Sequence, residues 1–327
     1  MHGAAQLQVE GIGCYGKLPL SREFVAEGSV RGSAGLDRWL EEGVGLAKSR
    51  LAGQSTAYLG TFPRYRFSWN DGRGQLLAGV ICPSQDAAAR AFPFALFASL
   101  RGQAPSAVEA ALQVHQLQED LAHHLGRIAA ATDAASVRAV VQDAGRAVAC
   151  DPGAMRERYQ RALDAPQPAD LWAGHRAADA ASDPRHTVMQ ALVETLTPPG
   201  GDHQRAYRGG VRYPLPRDRD PAADIEGLFW LDLSERVLGR SLLPSCWFRA
   251  PGEPTHDRRH LYVFLSAPSG VQWLGLIDQT SSLESISALD QPYGTRPAAE
   301  RMAPALRALV EAPTTTLRDY LHWATGS

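Results

Sequence analysis

Apolar and polar positions along the chain follow two periods. Leu7 to Ile12 alternates and reads as a strand. Tyr65-Arg66-Phe67-Ser68-Trp69 alternates strictly, the pattern of a half-buried strand. Gln75 to Cys82 and Phe94 to Leu100 are continuous apolar runs, as central strands are. Asn70-Asp71-Gly72-Arg73-Gly74 carries turn chemistry, which predicts a hairpin between the Tyr65–Trp69 and Gln75–Cys82 strands. Leu36, Trp39, Leu40, Val44, Ala47 and Leu51 recur at helical spacing. From Ser106 the period is helical again, with Val108, Leu112, Leu117, Leu121, Leu125 and Ile128 on one stripe. Asp133 is placed to cap a further helix bearing Val137, Val140 and Val141. Met155 to Leu163 and Pro184 to Leu196 are two more helices.

Proline and glycine then crowd residues 198–224, which read as a loop or linker. Beyond it, Gly227 to Leu231, Leu242 to Phe248, His260 to Ala267 and Gln272 to Ile277 read as short aromatic-rich strands. Helices near Pro297 to Val310 and Thr315 to Trp323 close the chain. The pattern predicts an α/β protein, with α+β the alternative: a layered α/β/α sandwich on a mixed sheet, since a hairpin excludes a purely parallel one. The expected parts are an N-terminal α/β domain over 1–135, a helical segment over 136–197, the loop over 198–224 and a smaller C-terminal α+β region over 225–327.

Composition narrows the function. Hydrophobic residues are 44% and charged residues 21% of 327, so the chain can bury a large core and is not disordered. The net charge is −2 and basic residues are scattered, which argues against nucleic acid as a partner. No window approaches the ~20 apolar residues of a membrane span, so no membrane insertion is expected. No leader pattern is visible at the N-terminus, which makes the cytoplasm the expected location. Cys14, Cys82, Cys150 and Cys246 are far apart, without the paired spacing of a zinc knuckle, and read as small hydrophobes in a core.

Gly11-Ile12-Gly13-Cys14-Tyr15-Gly16-Lys17 fits two phosphate-binding patterns, GxGxxG and GxxxxGK. A nucleotide-binding enzyme built on this turn is the alternative reading of the chain. Against it, Leu18 stands where a hydroxyl must meet Mg²⁺, and Pro19 follows where a helix should start. The acid expected about twenty residues on would be Asp37, which instead opens a helix. The plainer reading is a tight turn whose glycines let another stretch of backbone pass close. No HExxH, GxSxG or zinc-deaminase pattern occurs, so neither a catalytic residue nor a metal or other cofactor is expected.

Two segments stand out together. The first is Gly13-Cys14-Tyr15-Gly16-Lys17-Leu18-Pro19, then Glu23-Phe24-Val25, then Leu36-Asp37-Arg38-Trp39-Leu40. The second runs from Pro83-Ser84-Gln85-Asp86 through Arg90 to Phe92-Pro93-Phe94. In this order they resemble the N-terminal domain of the TagF family of type VI secretion-associated proteins, over residues 9 to 130. The family pattern has glycine before its acid; this chain has Arg22 before Glu23.

The resemblance implies a cytoplasmic, non-catalytic accessory protein that restrains type VI secretion after translation by binding a forkhead-associated (Fha) scaffold. It implies no cofactor and no small-molecule substrate. A structural subunit of the apparatus is a further alternative. The motif residues with a possible partner contact are Tyr15, Gly16, Lys17, Pro19, Glu23, Phe24, Asp86, Arg90, Phe92 and Pro93. If Ser84 caps a short helix, Asp86 and Arg90 lie on one face of it and pair. Lys17 is either a partner contact or a clamp on a nearby carbonyl or carboxylate. Trp39, Phe67 and Trp69 suit the core, whereas Tyr15 and Phe24 suit an exposed aromatic anchor.

Overall fold

Long apolar strands need cover on both faces, and here helices supply it. The computed structural model describes residues 6–28, 34–70, 76–102, 104–165, 183–197, 209–215, 222–239, 246–249, 259–278, 286–289 and 297–326. The strands are β1 (Gln8–Gly16), β2 (Val25–Gly28), β3 (Tyr65–Asn70), β4 (Leu76–Cys82), β5 (Phe94–Arg101), β6 (Gly210–Leu215), β7 (Cys246–Arg249), β8 (Arg259–Phe264) and β9 (Ile286–Ala288). They form one nine-stranded sheet in the order β2-β1-β5-β4-β3-β7-β8-β6-β9, antiparallel except for the β6–β9 pair. The α/β reading with a mixed sheet holds. The predicted β3–β4 hairpin partners are antiparallel from Tyr65↔Ile81 to Asn70↔Leu76; residues 71–75 of the predicted turn lie outside the described residues.

The helices are α1 (Ala34–Arg50), α2 (Ser55–Thr61), α3 (Ala107–Ala129), α4 (Ala134–Ala147), α5 (Gly153–Asp164), α6 (Pro184–Leu196), α7 (Ala222–Leu238), α8 (Gly270–Ile277), α9 (Ala298–Arg301), α10 (Pro304–Glu311) and α11 (Leu317–Gly326). Alternation sends Phe94, Leu96, Ala98 and Leu100 of β5 into a core shared with α3, α4, α5, α6, α7, α10 and α11. Ala95 and Phe97 point the other way, into a smaller aromatic core under α1, α2 and α8. Trp39 of α1 sits 5.1 Å from Trp69, 5.3 Å from Phe248 and 5.1 Å from Trp273, ring centre to ring centre. Its indole N–H donates to the Ser269 carbonyl at 2.8 Å. Caps behave as the sequence predicts: Asp133 Oδ1 accepts from the Ser136 N–H at 2.7 Å.

Among the described residues, three strand pairings join the N-terminal strands to the C-terminal ones: Arg66↔Arg249, Phe67↔Phe248 and Ser68↔Trp247, between β3 and β7. Two arginines face each other there on the α3 and α7 side. Glu119 of α3 pairs with Arg66, and Asp224 of α7 with Arg249, which offsets the like-charge contact.

Four sequence expectations need correction. Gly227–Leu231 belongs to helix α7 and Gln272–Ile277 to helix α8. Both helices are buried nearly all round, so the apolar run carries no period by which to tell strand from helix. The clue lay upstream, in Ser269 and Gln272, whose side-chain carbonyl accepts from the Ser269 N–H at 2.6 Å. Within the stretch read as loop, Gly210–Leu215 is strand β6, paired with β8 and β9; the remainder of 198–224, apart from 209 and 222–224, lies outside the described residues. Gly11 to Gly16 is not a turn but the body of β1, paired with β2 and β5. Its glycines lie in a ladder, so this segment does not cradle a phosphate, and no helix begins after it.

Candidate functional site

The two motifs of the sequence meet at one end of β1. Gly16 closes the strand opposite Phe94 with φ +141°, and an added Cβ would stand 2.2 Å from the Pro93 carbonyl oxygen. Glycine is therefore what allows the first motif to lie against the second. The chain then turns through Lys17 and an exposed Pro19, with Ser21 N–H donating to the Leu18 carbonyl at 3.1 Å.

Between Pro83 and Pro93 the backbone makes a tight loop rather than the short helix expected from Ser84. Gln85 and Ala91 bridge across it, and Phe92 N–H donates to the Ser84 carbonyl at 3.0 Å. Ala89 sits at φ 58°, a left-handed conformation unusual for alanine, so a helix cannot run through it. Asp86 holds this loop from inside. Its Oδ1 accepts from the Ala88 and Arg90 N–H groups, both at 2.9 Å. Its Oδ2 accepts from Lys17 Nζ at 2.7 Å and Arg90 Nε at 2.6 Å. Asp86 and Arg90 do pair, as the sequence suggested, but through a turn.

The Asp86 side chain is fully buried and that of Lys17 nearly so. Burial alone would raise the Asp86 carboxyl; Lys17, Arg90 and the two amides outweigh it and hold the group well below the usual carboxylate range. Three further bonds stitch the motifs: Ser84 Oγ donates to the Lys17 carbonyl at 2.6 Å, Ala87 N–H to the Ser21 carbonyl at 2.9 Å and Arg90 Nη2 to the Arg22 carbonyl at 2.8 Å. None of these main-chain acceptors was legible from the residue types.

Above the ion pair lies an aromatic group. Phe24 stacks on Tyr15 at 5.4 Å and meets Phe92 edge-on at 4.8 Å. Lys17 Nζ is 5.1 Å from the Phe24 ring centre, on its cation-binding face. Tyr15 donates its hydroxyl to Glu41 of α1 at 2.6 Å; burial first, then that carboxylate, push its pKa up and keep the phenol protonated. Phe92 and Pro93 are buried, Tyr15 is half-buried, and Glu23 and Arg90 are exposed. Phe24 is 43% exposed and stands out as the exposed large hydrophobic residue among the described ones. Trp39, Phe67 and Trp69 are core, as expected. Cys14 and Cys150 are buried thiols pushed up to about 11 by that burial, as core hydrophobes would be.

No sequence pattern hinted at a second cluster, where ligand atoms of His115, Glu119 and Asp224 lie within 4.8 Å of one another. The two carboxylates are already engaged by Arg66 and Arg249, and His115 Nε2 is 2.8 Å from Asp224. A cation would have to strip both buried arginines of their partners, so the group reads as the ionic lock of the β3–β7 seam. Burial and then Arg249 and Arg66 push the His115 imidazole down to about 4.

A glycine-closed strand end clamped to an aspartate loop, beneath an aromatic group, is thus the site that the two motifs build. Residues 13–144 match the family model of the TagF N-terminal domain, described as type VI secretion system-associated. This is the family that the motifs resemble, and over those residues the chain carries a domain of the TagF N-terminal type. Among solved structures the chain is similar to PA0076 from Pseudomonas aeruginosa PAO1, at 16% identity and a TM-score of 0.47, over 83% of this chain and 96% of that one. No curated protein matches. Among the described residues no helix is long and apolar enough to cross a membrane.

Proposed function

We propose that this chain is a non-catalytic, cytoplasmic negative regulator of a type VI secretion system, acting by binding an Fha-type scaffold protein at the surface around Phe24. The observation that carries the reading is the exposed Phe24 ring, held on three sides by Tyr15, Phe92 and Lys17. An aromatic side chain already fixed in the free protein loses little entropy on docking, and such anchors dominate interface energies. Lys17 and Asp86 serve this surface from below: they fix the two loops and are too buried to be its contacts. The glycine-rich alternative loses its support, because its backbone lies in a ladder and its lysine is engaged by Asp86.

The test is capture of a purified forkhead-associated scaffold by the purified chain, beside Phe24→Ala. Truncating a central anchor costs at least about 2 kcal/mol, or roughly thirtyfold in affinity. Lys17 and Arg90 variants are poor probes, since they disturb the loop itself. Failure of the folded wild-type chain to capture the scaffold sinks the partner. Undiminished capture by Phe24→Ala sinks the surface.

A further inference from the structure

Between α3, α5, α7 and α11, away from the motif site, lies an open cavity of about 770 Å³. That is a ligand-sized volume, and its lining says what kind of ligand fits. Five charged side chains surround it: Glu109, Arg156, Asp232, Glu235 and Arg236.

The carboxylates are engaged. Asp232 accepts from the Tyr159 hydroxyl at 2.9 Å and from Arg236 Nε at 2.7 Å. Glu235 accepts from the Ala107 N–H at 3.0 Å, at the start of α3. Glu109 takes Arg156 Nη2 and the Gln113 side-chain amide. Each arginine, by contrast, has committed one nitrogen: Arg236 its Nε and Arg156 its Nη2. Among the described residues the other nitrogens of these two guanidinium groups have no acceptor. The unused hydrogen-bonding capacity is therefore in donors, on two planar forks already oriented by their carboxylates.

Charge excludes the obvious occupant of such donors. Three carboxylates against two guanidinium groups leave the lining net negative, so a full anion is repelled while a neutral carbonyl is not. Val108, Leu112, Val237 and Ala324 supply an apolar strip beside the forks. We propose that this cavity binds an uncharged or basic peptide segment, whose backbone carbonyls accept from Arg156 and Arg236 and whose apolar side chain lies on Leu112 and Val237. The proposal is independent of the Phe24 surface and does not rest on the regulatory reading.

The experiment is a titration of the full chain, with labelled leucine and valine methyls, followed by NMR. Three probes share one body and differ in charge: N-acetyl-leucyl-lysinamide, N-acetyl-leucinamide and the N-acetyl-leucine anion. The two amides are expected to shift the Leu112 and Val237 methyls and saturate in roughly the millimolar range, as fragments of this size do. The anion is expected to bind at least about tenfold more weakly. Arg156→Gln should weaken the amides by about tenfold, the loss of hydrogen bonds from a charged donor. Ala324→Leu adds an isobutyl group to the cavity wall and removes none of the polar pairs, so it should weaken the amides by about tenfold in a protein that still unfolds cooperatively. Absence of saturable shifts at Leu112 and Val237 overturns the proposal. So does binding of the anion as tight as that of the amides, or full binding by either variant.

Discussion

Replacing Gly16 by alanine tests the central geometric claim, that the two motifs touch through a missing side chain. The new Cβ would lie 2.2 Å from the Pro93 oxygen and 2.7 Å from Phe94 Cα. Both are backbone atoms in a paired strand, so neither can swing aside, and the strand end must retreat by about 1 Å to reach an ordinary contact. A left-handed φ of +141° adds strain that an L-residue rarely bears. Backbone strain of about 1–3 kcal/mol and overpacking of about 1–3 kcal/mol together give a loss of about 2–6 kcal/mol. Against a typical total of about 5–15 kcal/mol this is a large fraction. With a urea slope of about 3 kcal/mol/M, the unfolding midpoint should fall by roughly 0.7–2 M. Gly45→Ala is the matched control: Gly45 is exposed within α1, and a Cβ added there would have no neighbour within 4 Å. There alanine should stabilise by about 0.5–1 kcal/mol. A Gly16→Ala midpoint within about 0.2 M of wild type would refute the claim that the motifs are in backbone contact.

Two further predictions concern pH. His115 is held near 4 in the fold against about 6.5 when unfolded, so the unfolded chain binds the extra proton first. Stability is therefore full above pH 6.5 and falls toward pH 4, by about 2 kcal/mol at pH 5; His115→Gln should flatten this slope, and an unchanged slope in urea titrations at pH 7 and pH 5 would count against the seam lock. Glu226 is buried on α7 with its Oε2 unpaired among the described residues, and burial raises its carboxyl well above the usual range. Its folded form keeps the proton longer, so the cost of ionising it grows as pH rises from about 4.3; Glu226→Gln should be more stable than wild type at pH 8, with the gap closing toward pH 4 in the same urea titrations.

The sequence was most legible where one face of an element is apolar and the other is not. Trp39 and Val44 marked α1, and the alternation of Tyr65 to Trp69 marked β3, because period and contrast survive in both. α7 and α8 lack that contrast: from Ile225 to Glu235 every residue is buried, and a run such as Gly-Leu-Phe-Trp-Leu carries no period. At the site, residue types named Lys17, Asp86 and Arg90 but not their arrangement. The bonds that bring the motifs together end on carbonyls of Lys17, Ser21 and Arg22, and a main-chain acceptor leaves no mark on the identity of its residue. The ionic lock was hidden for another reason. Its partners lie on β3, α3, α7 and β7, so only the β3–β7 pairing makes the four charges neighbours.

That pairing sets a schedule for synthesis. β3 leaves the ribosome about 180 residues before its neighbour β7, which at roughly 5–20 residues per second is about ten to forty seconds. Through that interval the first five strands can pair among themselves, yet Trp39, Phe67 and Trp69 have neither Phe248 nor Trp273 to cover them. The nascent chain thus carries an open aromatic face and, on β3, one open strand edge until its last third arrives, and slowing translation between β5 and β7 lengthens the time in which a chaperone, or another nascent chain, can occupy them.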